Sequence, residues 1–463
     1  MLTLARPTRG DIAAPTQSIR LAELLGALSH ALDMTEGQPA GHCVRSCWIG
    51  VHVGREIGLS EADLSGLYYA LLLKDSGCSS NAARICELYL TDDLGFKRDF
   101  KVIGDGLPQA LRFVLGHTGL KAGLAERLRT LANVTRNSGR IAREMIETRC
   151  GRGAAIARQL RFSKAVARGI QDLDEHWNGR GLPEGLSGDA ISVIARIALL
   201  AQVVDVFHTS VGAEGARIEV RGRSGTWFDP ELVEAFERVA ATAGFWEALR
   251  SDDLEEALFA LEPGQRIEAV DDAFLDDIAS AFAGVVDAKS PFTHGHSERV
   301  ARYTDLVAGE LGIEPDRRRW LRRAALLHDI GKLGVSNQIL DKPGKLDEDE
   351  WASVRRHPGL SETILARIAA LRELSQVVGA HHERLDGKGY PRGLTGESIC
   401  LETRIITTAD IFDALTADRP YRAAMPASKA LAIMAGDVGT ALDPACFAAL
   451  REAVTRPDRA AAA

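Results

Sequence analysis

The sequence predicts an all-α protein made of two tandem helical domains, and three observations lead there. Apolar residues recur at three and four positions almost throughout, which is the period of one helix face. Long alternating β-branched runs are absent. The third is an internal repeat: HWNGRGLPEGLSGDAI from His176 to Ile191 and RLDGKGYPRGLTGESI from Arg384 to Ile399 share Gly-x-Gly-x-Pro-x-Gly-Leu-x-Gly. Self-similarity of this kind marks a duplicated unit.

Taken in chain order, the repeat extends well beyond that passage. Gly41-His42 pairs with Gly295-His296, and Lys74-Asp75-Ser76-Gly77 pairs with His328-Asp329-Ile330-Gly331. The run ARIALLAQVVDVF from Ala195 pairs with TRIITTADIFDAL, and GTWFDP from Gly225 with GTALDP from Gly439. A first copy is therefore expected over 18–245, with extra residues at about 79–125, and a second over 266–455. Between them, 246–265 contains the acidic stretch SDDLEEALFALEPGQ, which reads as a linker helix and turn. The most apolar segment, Ala190 to Phe207, carries Arg196, Gln202 and Asp205, each costly at bilayer depth. It is expected to be a buried core helix, with no membrane partner.

Composition narrows the class. Hydrophobic residues at 46% and charged residues at 26% exclude a disordered or collagen-like chain. A net charge of −8 lacks the basic excess that drives phosphate-backbone binding, so nucleic acid is not an expected partner. Seven scattered cysteines and a start without a long apolar run predict a cytoplasmic protein.

Ligand-type residues concentrate in the second copy. His296, Val300, Tyr303, Val307 and Leu311 share one helical face, so this histidine points where the core points. His357 follows Val354 by three, His381 and His382 follow Val377 and Val378 by four, and Asp410 follows Ile406 by four. With His328 and Asp329 they make five histidines and two carboxylates. A single inward histidine is usually a satisfied core residue, and a lone His-Asp pair at a helix end is usually solvated. Burying seven such groups without an ion would cost several kcal/mol. Seven ligands exceed one tetrahedral zinc and suit two ions sharing a bridge.

The second copy resembles the HD-GYP domain, a branch of the HD phosphohydrolase superfamily. The resemblance rests on THGHSERVARY (293–303), LLHDIGK (326–332), HPGLSETIL (357–365), HHERLDGKGYPRGL (381–394) and ADIFDALTADRPYR (409–422). It implies a helical bundle and metal ligation by His296, His328, Asp329, His357, His381, His382 and Asp410, with Asp329 bridging two irons or manganeses. Phe292 stands where some members carry a glutamate for a third metal, so two ions are expected. Ser290, often Asp in the family, lies outside the metal set. Lys332 would neutralise phosphate charge beside Asp329, and Arg419 and Arg422 would hold the second phosphate or a guanine; the bland alternative for both arginines is a helix cap. Gly389, Tyr390 and Pro391 would shape the domain or dock a protein partner.

The implied activity is metal-dependent hydrolysis of a cyclic dinucleotide, cyclic di-GMP before others, to linear pGpG, with GMP as the product of any second step. The alternatives are another HD-type phosphohydrolase acting on a nucleotide or alarmone, and a non-catalytic receptor or scaffold. In the first copy Lys74, Arg149, Leu173, Asp174 and Gln202 stand opposite ligands, and Cys78 opposite Lys332. This copy is expected to be non-catalytic and to regulate or dimerise the protein, so deleting 1–250 should change activity or oligomeric state. A site of His42, Cys43, Cys47 and Cys78 is a sharper alternative, since 43 and 47 share a helical face.

Overall fold

A computed structural model describes residues 20–103, 107–265, 271–418 and 422–456. Regular structure among them is helical, and four isolated β-bridges pair described residues with one another. These bridges repeat as well: Asn178 with Ser187 and Ser224 with Phe228 in the first half, Asp386 with Thr395 and Val438 with Leu442 in the second.

The helix Leu21–Thr35 is apolar on nearly every face, burying Leu24, Leu25, Leu28, Ala31 and Leu32 alike. A helix patterned in this way must be covered all round. It packs against the helices His42–Glu56 and Glu61–Leu73 of the first half and against the turn Ile330–Gly334 and the helix His357–Ala366 of the second. Both halves contribute to one continuous hydrophobic core. The helix Leu254–Ala260 between the halves adds ties to each, with Glu255 salt-bridged to Arg367 at 2.9 Å.

The apolar segment after Ile191 forms the first part of the helix Val193–Gly222 and is buried from Ile194 to Val206. It is the one described helix long and apolar enough to cross a membrane, yet most of its apolar window lies inside the protein. The residues inserted in the first half fold as short helices, among them Asp93–Phe100 and Leu107–His117, before the 36-residue helix Leu124–Gln159. A separate small core of Ile85, Phe96 and Phe113 holds them together.

The second half places its histidines at helix ends. His296 opens the helix His296–Glu310 directly after Gly295, whose φ of 67° suits glycine. His42 opens its own helix after Gly41 at φ 85°. His328 follows the helix Pro315–Leu327, and His357 starts the helix His357–Ala366.

Candidate metal centre

Side chains from five segments meet around one carboxylate. Asp329 Oδ2 lies 3.4 Å from His296 Nε2 and 3.3 Å from His328 Nε2. Its Oδ1 lies 3.3 Å from His357 Nε2 and 3.8 Å from His381 Nε2. Asp410 Oδ1 stands 3.4 Å from His296 Nε2 on the first side. His382 completes the second, its ring centroid 4.1 Å from that of His381 and 5.0 Å from that of His357. The seven residues thus form two groups, His296–His328–Asp410 and His357–His381–His382, with one oxygen of Asp329 turned to each.

The sequence folds locally so that four of the five imidazoles present Nε2. In His328, His357 and His381 the Nδ1–H donates to the carbonyl three residues back, at Ala325, Val354 and Val378, over 2.6, 2.7 and 2.6 Å. His296 Nδ1 instead bonds Asp413 Oδ2 at 2.7 Å, and Arg299 Nε holds that carboxylate at 2.6 Å. A ring that donates from Nδ1 keeps a lone pair on Nε2, which is the tautomer a metal needs. Close packing brings the histidines together: a Cβ at Gly331 would lie 2.1 Å from His357 O, so only glycine lets the His-Asp turn approach that helix. Ser361 locks the same contact, accepting from Gly331 N and donating to His328 O, both at 2.9 Å.

Buried Nε2 of His296, Nε2 of His328 and Oδ1 of Asp329 have no hydrogen-bond partner. Leaving each unmade costs about 1–3 kcal/mol. Nitrogen and carboxylate donors that converge, buried and unpaired, fit a pair of divalent cations. Burial opposes a charged ring at His296, but Asp329, Asp413 and Asp410 outweigh it and raise its pKa to about 9, so a cation bound there would displace the Nε2 proton. The same negative field attracts a cation. Burial pushes His381 down to about 3 and lowers His357 and His382, so these rings are neutral at pH 7. Burial alone would raise Asp329, yet His328 and Lys332 hold it well below the usual carboxylate range.

Lys332 Nζ lies 2.5 Å from Asp329 Oδ2. Tyr390 sets its ring, tilted, 4.8 Å from that of His382, and its N–H donates to His382 O at 3.2 Å. Glu383 secures the rest of that loop, accepting from Arg392 N and Leu394 N at 2.7 and 2.8 Å. Arg422 caps a helix, donating to Ala414 O at 2.6 Å and Leu415 O at 2.8 Å. Arg419 lies outside the described residues.

The equivalent place in the first half is filled by cations of the protein itself. Lys74 Nζ stands 2.8 Å from His42 Nε2 and bonds Asp75. Lys101 Nζ, from the inserted residues, is 2.7 Å from Glu36 Oε2 and 3.9 Å from Asp75 Oδ1. Arg149 pairs with Asp174. Glu36, Asp75 and Cys78 come within ligating distance of one another, but these ammonium groups already satisfy them. The four-residue cysteine site is not assembled, since Cys47 Sγ points to Tyr68 O while Cys43 and Cys78 face Asp75. Burial raises all three thiols well above their ordinary range.

Sequence reasoning missed Asp413 and its counterpart Asp205, which bonds His42 Nδ1 at 2.6 Å. The signal was available: each aspartate falls at the same place in the repeat, three residues after Asp410 or Gln202.

A profile of the HD domain matches residues 122–232 and 281–446. The chain belongs to the HD domain family. It is 56% identical to a 3'3'-cGAMP-specific phosphodiesterase of Vibrio cholerae over 94% of both chains. It resembles the crystal structure of a cyclic GMP-AMP-specific phosphodiesterase from V. cholerae with a TM-score of 0.66 and 51% identity, covering 95% of this chain and 98% of that one. A cyclic di-GMP phosphodiesterase response regulator of Xanthomonas campestris is 40% identical over 37% of this chain and 46% of its own.

Proposed function

We propose that this HD domain protein is a metal-dependent phosphodiesterase of cyclic dinucleotides that prefers 3'3'-cGAMP to cyclic di-GMP. The observation that carries the reaction class is the division of Asp329, whose two oxygens face two separate groups of buried nitrogen and carboxylate donors. His296, His328 and Asp410 would hold one cation and His357, His381 and His382 the other, with iron or manganese suiting this mixed donor set. Such a pair supplies Lewis-acid polarisation of a phosphoryl group and lowers the pKa of water toward neutrality.

The chain's own residues complete the site. Asp413 and the backbone carbonyls orient the rings, and Lys332 places positive charge beside Asp329 where a phosphate would gain it. Arg422 would reach substrate only by leaving the carbonyls it now caps. The preference for the mixed dinucleotide rests on likeness: the relative of that specificity spans 94% of this chain, whereas the cyclic di-GMP relative spans 37%. We read the first half, 18–245, as a non-catalytic HD-like domain and the protein as cytoplasmic; its lysine-filled centre supports the first reading.

Full-length protein loaded with manganese or ferrous iron should linearise 3'3'-cGAMP faster than cyclic di-GMP, with any second step giving mononucleotides. Chromatography of the products decides it. Cleavage of a mononucleotide alone would move the protein to the nucleotide phosphohydrolases, and faster cyclic di-GMP turnover would reverse the preference.

A further inference from the structure

The helix Asp93–Phe100, inserted in the first half, reaches from the turn that follows Lys74–Asp75 in its own half to residues that flank the His-Asp turn of the other. Asp93, Lys97 and Lys101 lie at i, i+4 and i+8 on it and just past its end, a spacing that puts all three on one face. Lys97 Nζ donates to Cys78 O at 3.0 Å and to Thr35 O at 2.9 Å. Lys101 pairs with Glu36. These two contacts grip the first half's turn, in which Cys78 corresponds to Lys332.

Asp93 points the other way. It is fully buried, and besides Cys86 Sγ of its own half at 3.8 Å it meets three donors of the second half. Its Oδ1 accepts from Asn337 N at 2.8 Å and from Ser336 Oγ at 3.0 Å, and its Oδ2 lies 3.4 Å from Lys289 Nζ. Lys289 is buried too, and its Nζ donates at 3.2 Å to Leu333 O. Leu333 directly follows Lys332 in the turn Ile330–Gly334. That turn is therefore held at its start by Ser361 of its own half and at its end by a lysine whose counter-ion comes from the other half.

The geometry points to Asp93 as a positioning residue for the C-terminal centre: through Lys289 it fixes the carbonyl of Leu333 and so the placement of Lys332 and Asp329. This rests on the phosphodiesterase reading. Without Asp93 the buried ammonium of Lys289 loses the one carboxylate that pairs with it among the described residues, and the end of the turn loses its anchor. The first half then supplies part of the active-site framework, whether or not it binds anything itself.

Two variants of the full-length, manganese-loaded protein test this: Asp93→Asn, and Asp93→Asn combined with Lys289→Met. The second removes both buried charges, so it folds without an unpaired ion, yet leaves Leu333 O without its donor. Steady-state hydrolysis of 3'3'-cGAMP, melting temperature and amide exchange of the peptide 328–337 are the readouts. In both variants kcat should fall about tenfold to a hundredfold, the size of effect a small misplacement produces, while KM stays within about twofold. Exchange should quicken at 328–337 and stay unchanged around His381, and the double variant should recover the melting temperature without recovering kcat. A kcat within about twofold of the parent in the double variant would overturn the proposal. If the parent cleaves no cyclic dinucleotide, the phosphodiesterase reading fails instead. Exchange then judges Asp93 alone, and unchanged protection at 328–337 in both variants overturns its role.

Discussion

Lys74 puts an ammonium 2.8 Å from His42 Nε2 and in contact with Asp75, between the two residues that correspond to His296 and Asp329. A lysine has replaced a ligand and, in the same substitution, supplied a positive charge where a cation would sit. The orienting pair behind it survives, since His42 Nδ1 still bonds Asp205 and Arg45 still holds that aspartate at 2.5 Å.

The first half should accordingly be reversible. Lys74→His with Gln202→Asp rebuilds a group matching His296–His328–Asp410, because Gln202 occupies the place of Asp410 and its Oε1 is buried without a partner. The double variant should bind an additional divalent ion per chain, measured by elemental analysis against the parent. Equal metal content in the two proteins would show that the surrounding frame has drifted too far.

Removing Asp329 and removing Asp75 should fail in different ways. Asp329→Ala loses the shared ligand, so metal content and turnover should disappear together while the fold persists. Asp75→Asn strips the counter-charge from the buried Lys74, whereas Lys101 keeps Glu36, and breaking a buried pair costs about 3–5 kcal/mol. Denaturant titration should show that loss, with metal content at the second half unchanged.

Acid should weaken the first half through Glu36. Burial alone would raise its pKa, but Lys101 and Lys97 overcome this and hold it at about 2, below its ordinary 4.5. The folded value is depressed, so its stabilising contribution is complete above the unfolded value and is lost as pH falls from about 4.5 toward 2. Urea midpoints measured from pH 7 to pH 3 should be flat at first and then drop in the acid range, and Glu36→Gln should remove that part of the drop.

Gly331→Ala tests the approach of the His-Asp turn to the helix that starts at His357. The added carbon would meet His357 O at 2.1 Å and Ser361 N at 2.8 Å, backbone atoms that cannot rotate aside. Overpacking of this kind costs about 1–3 kcal/mol, and here the strain separates His328 from His357. Metal affinity should fall much further than the melting temperature; a change in neither would mean the two segments have room to part.

Much of the centre was legible because its ligands lie at helix ends or on inward helix faces in an apolar, repeated frame: His296, His357, His381, His382 and Asp410 each declare their direction through residues three or four positions away. Lys101 was not legible, because it enters from inserted residues that have no counterpart in the second half. Asp93 and Lys97 stand four apart among the same inserted residues, a spacing that carries no sign of burial, and only tertiary contact shows Lys97 bonded within the first half and Asp93 reaching the second. For Arg422 the bland alternative describes the observed contacts, since its guanidinium is spent on helix carbonyls.

The core that runs unbroken between the halves has its own consequence. Met34 leans on Gly334, and the helix it ends is covered on one side by each half. Cutting the chain between them would strand an oily wall on both fragments, so the amino-terminal part can shed its chemistry over time but cannot itself be discarded.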